Sequence, residues 1–295
     1  MKDKEELMKA VEQCTGSMHD VEPIDINDSF GFTCKQCGKC CINRGDIILN
    51  PFDIYNAAKY LGITTEEFIK NYTVSMLGNH SKIPMVLLKD GDNGFCPLLE
   101  FDIKDGGKFK CKIHPAKPGA CANHPIGVVY SLNKTTGENS IQYIKVEQCP
   151  NSVSNEMHTV KDWLKPYLDH QEEIDMAHKL QHLITDYFNP RDFWATITIL
   201  KEMMEEAPKE ILRKEAFDTF KEISKELLSR YIVTSNGVAY AEYDTDKPFI
   251  PQAEENIKTL DKFYTDTKKL YELIKGFIVK VGCEEELNDL INSDL

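Results

Sequence analysis

Four cysteines fall within eight residues, Cys34-x-x-Cys37-x-x-Cys40-Cys41, and this run limits what the chain can be more than any other feature. Two residues between thiols let a backbone curl so that both sulfurs face one ion. A third thiol at the same interval is also how ferredoxin loops wrap an iron–sulfur cluster. Gly38 lies between ligand candidates, where a tight loop needs a positive φ. Four more thiols follow at Cys96, Cys111, Cys121 and Cys149, so eight of the ten cysteines lie between positions 34 and 149. Cys96 and Cys149 each precede a proline, which keeps the chain out of helix there. Cys14 and Cys283 lie outside the block and read as ordinary helix residues.

A disulfide framework would explain such a count in a small secreted protein. The N-terminal MKDKEELMKAVEQC is charged and has no apolar core of a secretory signal. No apolar stretch approaches the ~20 residues that span a bilayer. The expectation is a cytoplasmic protein with reduced thiols, free to bind metal, and no membrane partner. Hydrophobic residues at 41% and charged residues at 28% fit a folded globular chain. The net charge of −13 is uneven: residues 1–155 carry 17 Lys/Arg and 19 Asp/Glu, residues 156–295 carry 18 and 29. The acidic half repels phosphates, so no nucleic-acid partner is expected. Within 34–121 the balance reverses, with 12 basic against 9 acidic residues. Such lysines would help hold the charge of a thiolate site.

Elements can be read along the chain. Residues 1–29 form a lead of short helix and polar, Asp-rich segment. Asn50 as N-cap, Pro51 at the first helical position and Gly62 as the stop define one helix. Thr64 and Glu67 make a capping box for a second. Residues 83–88 read as a strand. FCPLLEF and KFKCKI flank Asp105-Gly106-Gly107 as a hairpin that brings Cys96 and Cys111 onto adjacent strands. VVYSL and IQYIKV form a second hairpin. From 156 onward the period is helical: Ile174, Ala177, Leu180 and Ile184 share a face, Asn189-Pro190 starts a helix, and Leu212 to Leu227 defines another. Asn236-Gly237 reads as a turn, and Ile257 to Ile274 as a last helix. The fold class expected is α+β. A cysteine-rich, metal-organised domain at 30–155, with short hairpins and two helices, precedes an acidic all-helical region at 156–295.

The run CKQCGKCC, the helix start from Ile47 to Asp53, FCPLL, CKIHPAKPGACANHP and a final CP together resemble the YkgJ-like CxxCxxCC family, described as a zinc- or iron-chelating domain. The resemblance spans roughly residues 30–150, with all eight cysteines in order. It implies metal chelation and no particular reaction. In the usual pattern an Arg-Pro precedes the seventh cysteine and an Arg follows it; here Lys117-Pro118 and Ala122 stand there. The family places an aromatic or His where His114 stands, and an aromatic before Pro where His124 stands.

The candidate ligands are thus Cys34, Cys37, Cys40, Cys41, Cys96, Cys111, Cys121 and Cys149. His114 and His124, each three residues after a cysteine, are secondary candidates. Thiolates select zinc, copper(I) or iron–sulfur over magnesium or calcium. The reading taken is zinc or iron held mononuclearly, in a metal-binding protein. The alternative is a [4Fe–4S] enzyme, redox or protein-modifying in the manner of a methyltransferase. His178 and His182, four apart on a predicted helix, lack the HExxH context and read as surface residues. No phosphate loop and no GxSxG occur, so catalytic residues are unassigned. The acidic half offers room for a protein or small-molecule partner that the sequence does not name.

Overall fold

The computed structural model describes residues 21–91, 94–103, 106–132, 139–146, 154–206, 229–280 and 282–292. In chain order these include β1 (Val21–Ile24), β2 (Ser29–Gly31), β3 (Ile48–Leu49), α1 (Pro51–Leu61), α2 (Thr65–Tyr72), β4 (Thr73–Leu77) and β5 (Pro84–Leu88). There follow β6 (Leu99–Asp102), β7 (Lys108–Cys111), α3 (Gly119–Ala122), β8 (Ile126–Leu132), β9 (Asn139–Val146), β10 (Met157–Thr159) and α4 (Val160–Leu168). The later helices are α5 (Gln171–His182), α6 (Pro190–Glu206), α7 (Phe249–Lys280) and α8 (Glu284–Asn292). The class is α+β. The chain divides into two compact units: residues 1–74 with 87–174, and residues 75–86 with 175–295.

The first unit holds the cysteine block. Asn50 caps α1 by accepting from the Asp53 N–H at 2.8 Å, and Asp53 returns the bond to the Asn50 N–H at 3.0 Å. This reciprocal box, with Pro51 behind it, fixes where the helix begins. Gly62 at φ 68 closes it, and Thr64 with Glu67 opens α2 by the same device. β6 and β7 pair antiparallel from Leu99↔Cys111 to Asp102↔Lys108, as the glycine turn predicts. β8 and β9 pair as the second hairpin, its turn lying outside the described residues.

The lead segment departs from its sequence reading. β1 pairs with β9, from Val21↔Val146 to Ile24↔Tyr143, and β2 pairs with β10. The polar segment is recruited into sheets by partners more than a hundred residues away. The short strand β10 likewise interrupts the expected all-helical stretch. A core of Phe30, Phe32, Ile126, Val160 and Leu164, flanked by Trp163, lies between these strands and α4. Trp163 Nε1 donates to the Asn123 carbonyl at 2.9 Å, which ties the segment after α3 to this core.

The second unit packs aromatic residues along α7. Tyr264 and Tyr271 are buried with Phe188, Phe193 and Tyr231. Tyr264 donates to Ser235 Oγ at 3.0 Å. Asn189 starts α6, its Oδ1 accepting from the Arg191 N–H at 2.9 Å. Asn236-Gly237 is not a turn: residues 229–236 are helical and continue into a π-helical stretch over Gly237–Ala241. Burial of Val238, Ala239 and Tyr240 outweighs the weak local preference of an Asn-Gly pair. The helix expected over Leu212–Leu227 lies outside the described residues. No described helix is long and apolar enough to cross a membrane.

Candidate metal centre

The cysteine loop owes its shape to contacts with the β6–β7 hairpin. Gly38 sits at φ 74, and a Cβ there would lie 2.8 Å from the Phe109 ring. Only glycine satisfies both conditions without strain. A short 3-10 turn follows over Lys39–Cys41, with the Cys41 N–H donating to the Gly38 carbonyl at 2.9 Å. The Phe109 N–H donates to the Gln36 carbonyl at 2.9 Å, and the Cys96 N–H donates to the Cys41 carbonyl at 3.0 Å. The loop is therefore stitched to the segment that leads into the hairpin and to its return strand. Phe109 also meets Phe95 and Phe101, at ring-centroid separations of 5.9 and 5.0 Å.

Cys96 itself lies just before β6, in the turn where the Leu99 N–H donates to its carbonyl at 2.9 Å, while Cys111 ends β7. The two are neighbours, though only Cys111 is on a strand. Cys121 comes from α3, whose N-terminus is fixed by a long-range bond. Gly119 N–H donates to Asp53 Oδ1 at 2.9 Å. One carboxylate thus starts α1 and positions the turn of helix that carries Cys121.

The thiols influence one another electrostatically. The Cys40 and Cys41 sulfurs are 3.8 Å apart. The bond from Cys41 holds Cys40 down at about 6, aided by Arg44 and Lys117 against the effect of burial. Cys41 is pushed up by the same bond, by burial and by the charge of Cys40, Cys121 and Cys96. Burial raises Cys96, and Cys111 adds to it. Burial raises Cys111, with Lys117 opposing. Cys121 is pushed up to about 12 by burial, with Cys96 and Cys111 adding to the rise and Arg44 opposing it. Cys121 thus feels Cys96 and Cys111, Cys41 feels Cys40, Cys96 and Cys121, and Cys96 feels Cys111. Cys34 is exposed and Cys37 half-buried on the loop. Cys149 lies outside the described residues.

His114 is exposed, and Lys117 and burial lower its imidazole. His124 differs. Its ring meets Phe32 edge-on at 5.8 Å, and its Nε2 is buried with no hydrogen-bond partner. Burial, Arg44 and Lys117 hold it down at about 4, so it is neutral, the form that ligates metal. His182 is exposed and His178 half-buried.

Arg44 escaped the sequence reading. Its Nε donates to Asp46 Oδ1 at 2.6 Å and its Nη1 to the Cys40 carbonyl at 3.4 Å, so the guanidinium is fixed beside Cys40 and Cys121. One signal was available: it is the only arginine in the first 190 residues.

Residues 33–150 match the CxxCxxCC family, described as "Putative zinc- or iron-chelating domain". No curated protein and no solved structure matches the chain. Over the matched residues the described cysteines are free thiols, a donor type that suits a soft metal. Among the described residues no three Cys, His, Asp or Glu side chains are already grouped as the ligands of one ion.

Proposed function

We propose that the CxxCxxCC domain chelates zinc or iron in a four-thiolate centre formed by Cys41, Cys96, Cys111 and Cys121. The observation that supports this reading is geometric: the Cys96 N–H donates to the Cys41 carbonyl at 3.0 Å and Cys111 pairs with Leu99 just beyond Cys96, while the charges of Cys96 and Cys111 add to the rise of Cys121. Four thiolates complete a closed tetrahedral site. A bound ion would cross-link a loop, a turn, a strand end and a short helix that share little core of their own. The chain's own residues prepare this. The Gly38 turn and the bonds from Cys96 and Phe109 hold the loop on the hairpin. Asp53 holds the Cys121 turn. Arg44 and Lys117 offset part of the anionic charge that four thiolates bring together.

The domain's role is metal binding, with the ion held mononuclearly. A second reading is favoured by the ferredoxin-like spacing of Cys34, Cys37 and Cys40 on one open loop. There a [4Fe–4S] cluster serves a redox or protein-modifying enzyme. Elemental analysis of anaerobically purified protein tests both. About one or more equivalents of zinc in a colourless protein supports the first. Iron with sulfide and a brown charge-transfer absorbance supports the second. Protein with no tightly bound transition metal overturns both.

A further inference from the structure

We propose that the apolar face of the β6–β7 hairpin is a docking surface for an acidic protein segment, one whose apolar side chains are flanked by carboxylates. The hairpin's register divides its side chains between two faces. On one, Lys110 reaches Asp102 at 2.9 Å and Lys112 reaches Glu100 at 3.6 Å, so these charges are satisfied within the hairpin. On the other, Phe101 stands opposite Phe109, and Ile103 follows just past the strand end. Phe95 joins the group through its contact with Phe109. Phe101 is 55% exposed, Ile103 79% and Phe95 38%. Single exposed apolar residues are ordinary, but a contiguous group with aromatic rings marks a contact surface.

The rings are held in place before any partner arrives. Phe109 fills the space beside Gly38, and its N–H donates to the Gln36 carbonyl at 2.9 Å. Phe101 lies over Gly107, where a Cβ would stand 3.3 Å from the ring. Docking therefore has little ordering left to impose. Charge selects the occupant. Lys35 and Lys39 flank Gln36 and Gly38, the loop residues that touch β7, and both lysines are exposed. Neither is ion-paired among the described residues, while Glu100 and Asp102 of the hairpin are held by its own lysines. The rim of the ring group is thus cationic, and its complement is acidic. A second copy of this chain fits less well. The exposed Leu273 and Val279 on α7 each have a lysine four positions earlier, at Lys269 and Lys275, of the same sign as the rim. An anionic bilayer fits less well too, because it repels a chain of net charge −13. The inference goes beyond metal binding and rests on no ligand assignment for the thiols.

The test places the photo-crosslinking residue p-benzoylphenylalanine in the full chain, within its native cells, at Phe101 or, for comparison, at Val233, an exposed residue of the second unit. Mass spectrometry of the crosslinked peptides then reads both the partner and its contact segment. A protein other than this chain is expected from Phe101 and not from Val233, with Asp or Glu within about one helical turn of the contacted apolar residue. Adding Lys35→Glu and Lys39→Glu should lower the yield about tenfold, and raised salt should lower it in their absence. Should the Phe101 variant not fold, the more exposed Ile103 takes its place. Four results would overturn the inference. They are a crosslink to a second copy of this chain, a crosslink to lipid, a contact segment without carboxylates, and no product above the Val233 level.

Discussion

Asp53 and Gly38 each satisfy two demands with one residue. Asp53 accepts from the Asn50 and Gly119 N–H groups and is itself buried. Asp53→Ala would leave both donors without their partner, at about 1–3 kcal/mol for each. A fall in denaturation midpoint corresponding to about 2–4 kcal/mol is expected, and an unchanged midpoint would show that water replaces the carboxylate. Gly38→Ala meets the Phe109 ring and a left-handed backbone at once, so both stability and metal content should drop. Among the thiols, Cys96→Ser should lose metal and thermal stability together, because Ser is a poor ligand for a soft ion. Cys283→Ser, in the second unit, should change neither; equal metal loss in the two variants would displace the site.

Elements that depend on neighbours in sequence were legible. The caps of α1 and α2 and the β6–β7 hairpin follow from residues within a few positions of each other. β1 and β2 were not legible, since Val21 pairs with Val146 and Ser29 with Thr159, and nothing local announces either partner. The Asn236-Gly237 stretch misled for the same reason in reverse: a turn signal was overridden by burial. Of the site, the thiols could be read from spacing. The fixing of Arg44 and the orphaned nitrogen of His124 arise only when distant segments meet. Two-stranded hairpins are marginal alone in water, so β6–β7 should depend on the ion. A strong chelator is expected to expose 34–111 to protease before α7. Simultaneous cleavage of both, followed by gel and mass analysis, would contradict this.

On the scale of the whole molecule, the two units should answer to different conditions. The second is held by apolar and aromatic packing along α7 and should keep its helical circular dichroism when metal is removed. Its sensitivity lies in proton binding. Burial and the nearby His182 hold the His178 imidazole below its ordinary value of 6.5, with Asp175 opposing. The unfolded chain therefore takes up the proton first as pH falls through that value, and stability present above it is lost on acidification. The thermal midpoint of the metal-free protein should fall from pH 7.5 toward pH 5.5, by less in His178→Asn. An identical fall in both proteins would assign the effect elsewhere. The rings of Phe95 and Phe101, one stacked on Phe109 and one tilted against it, bear on something affinity does not measure. Phe109 fills the space beside Gly38, so the loop cannot swing outward until that stack parts. If an ion binds at this loop, the hairpin should act as a latch on its exchange, setting how fast it leaves while the ligands set how tightly it is held. One ring pair is worth about 0.5–1.5 kcal/mol, so Phe101→Ala would hasten handover to a competing chelator by up to about tenfold. The ion at rest would stay in the same place, with the same partners.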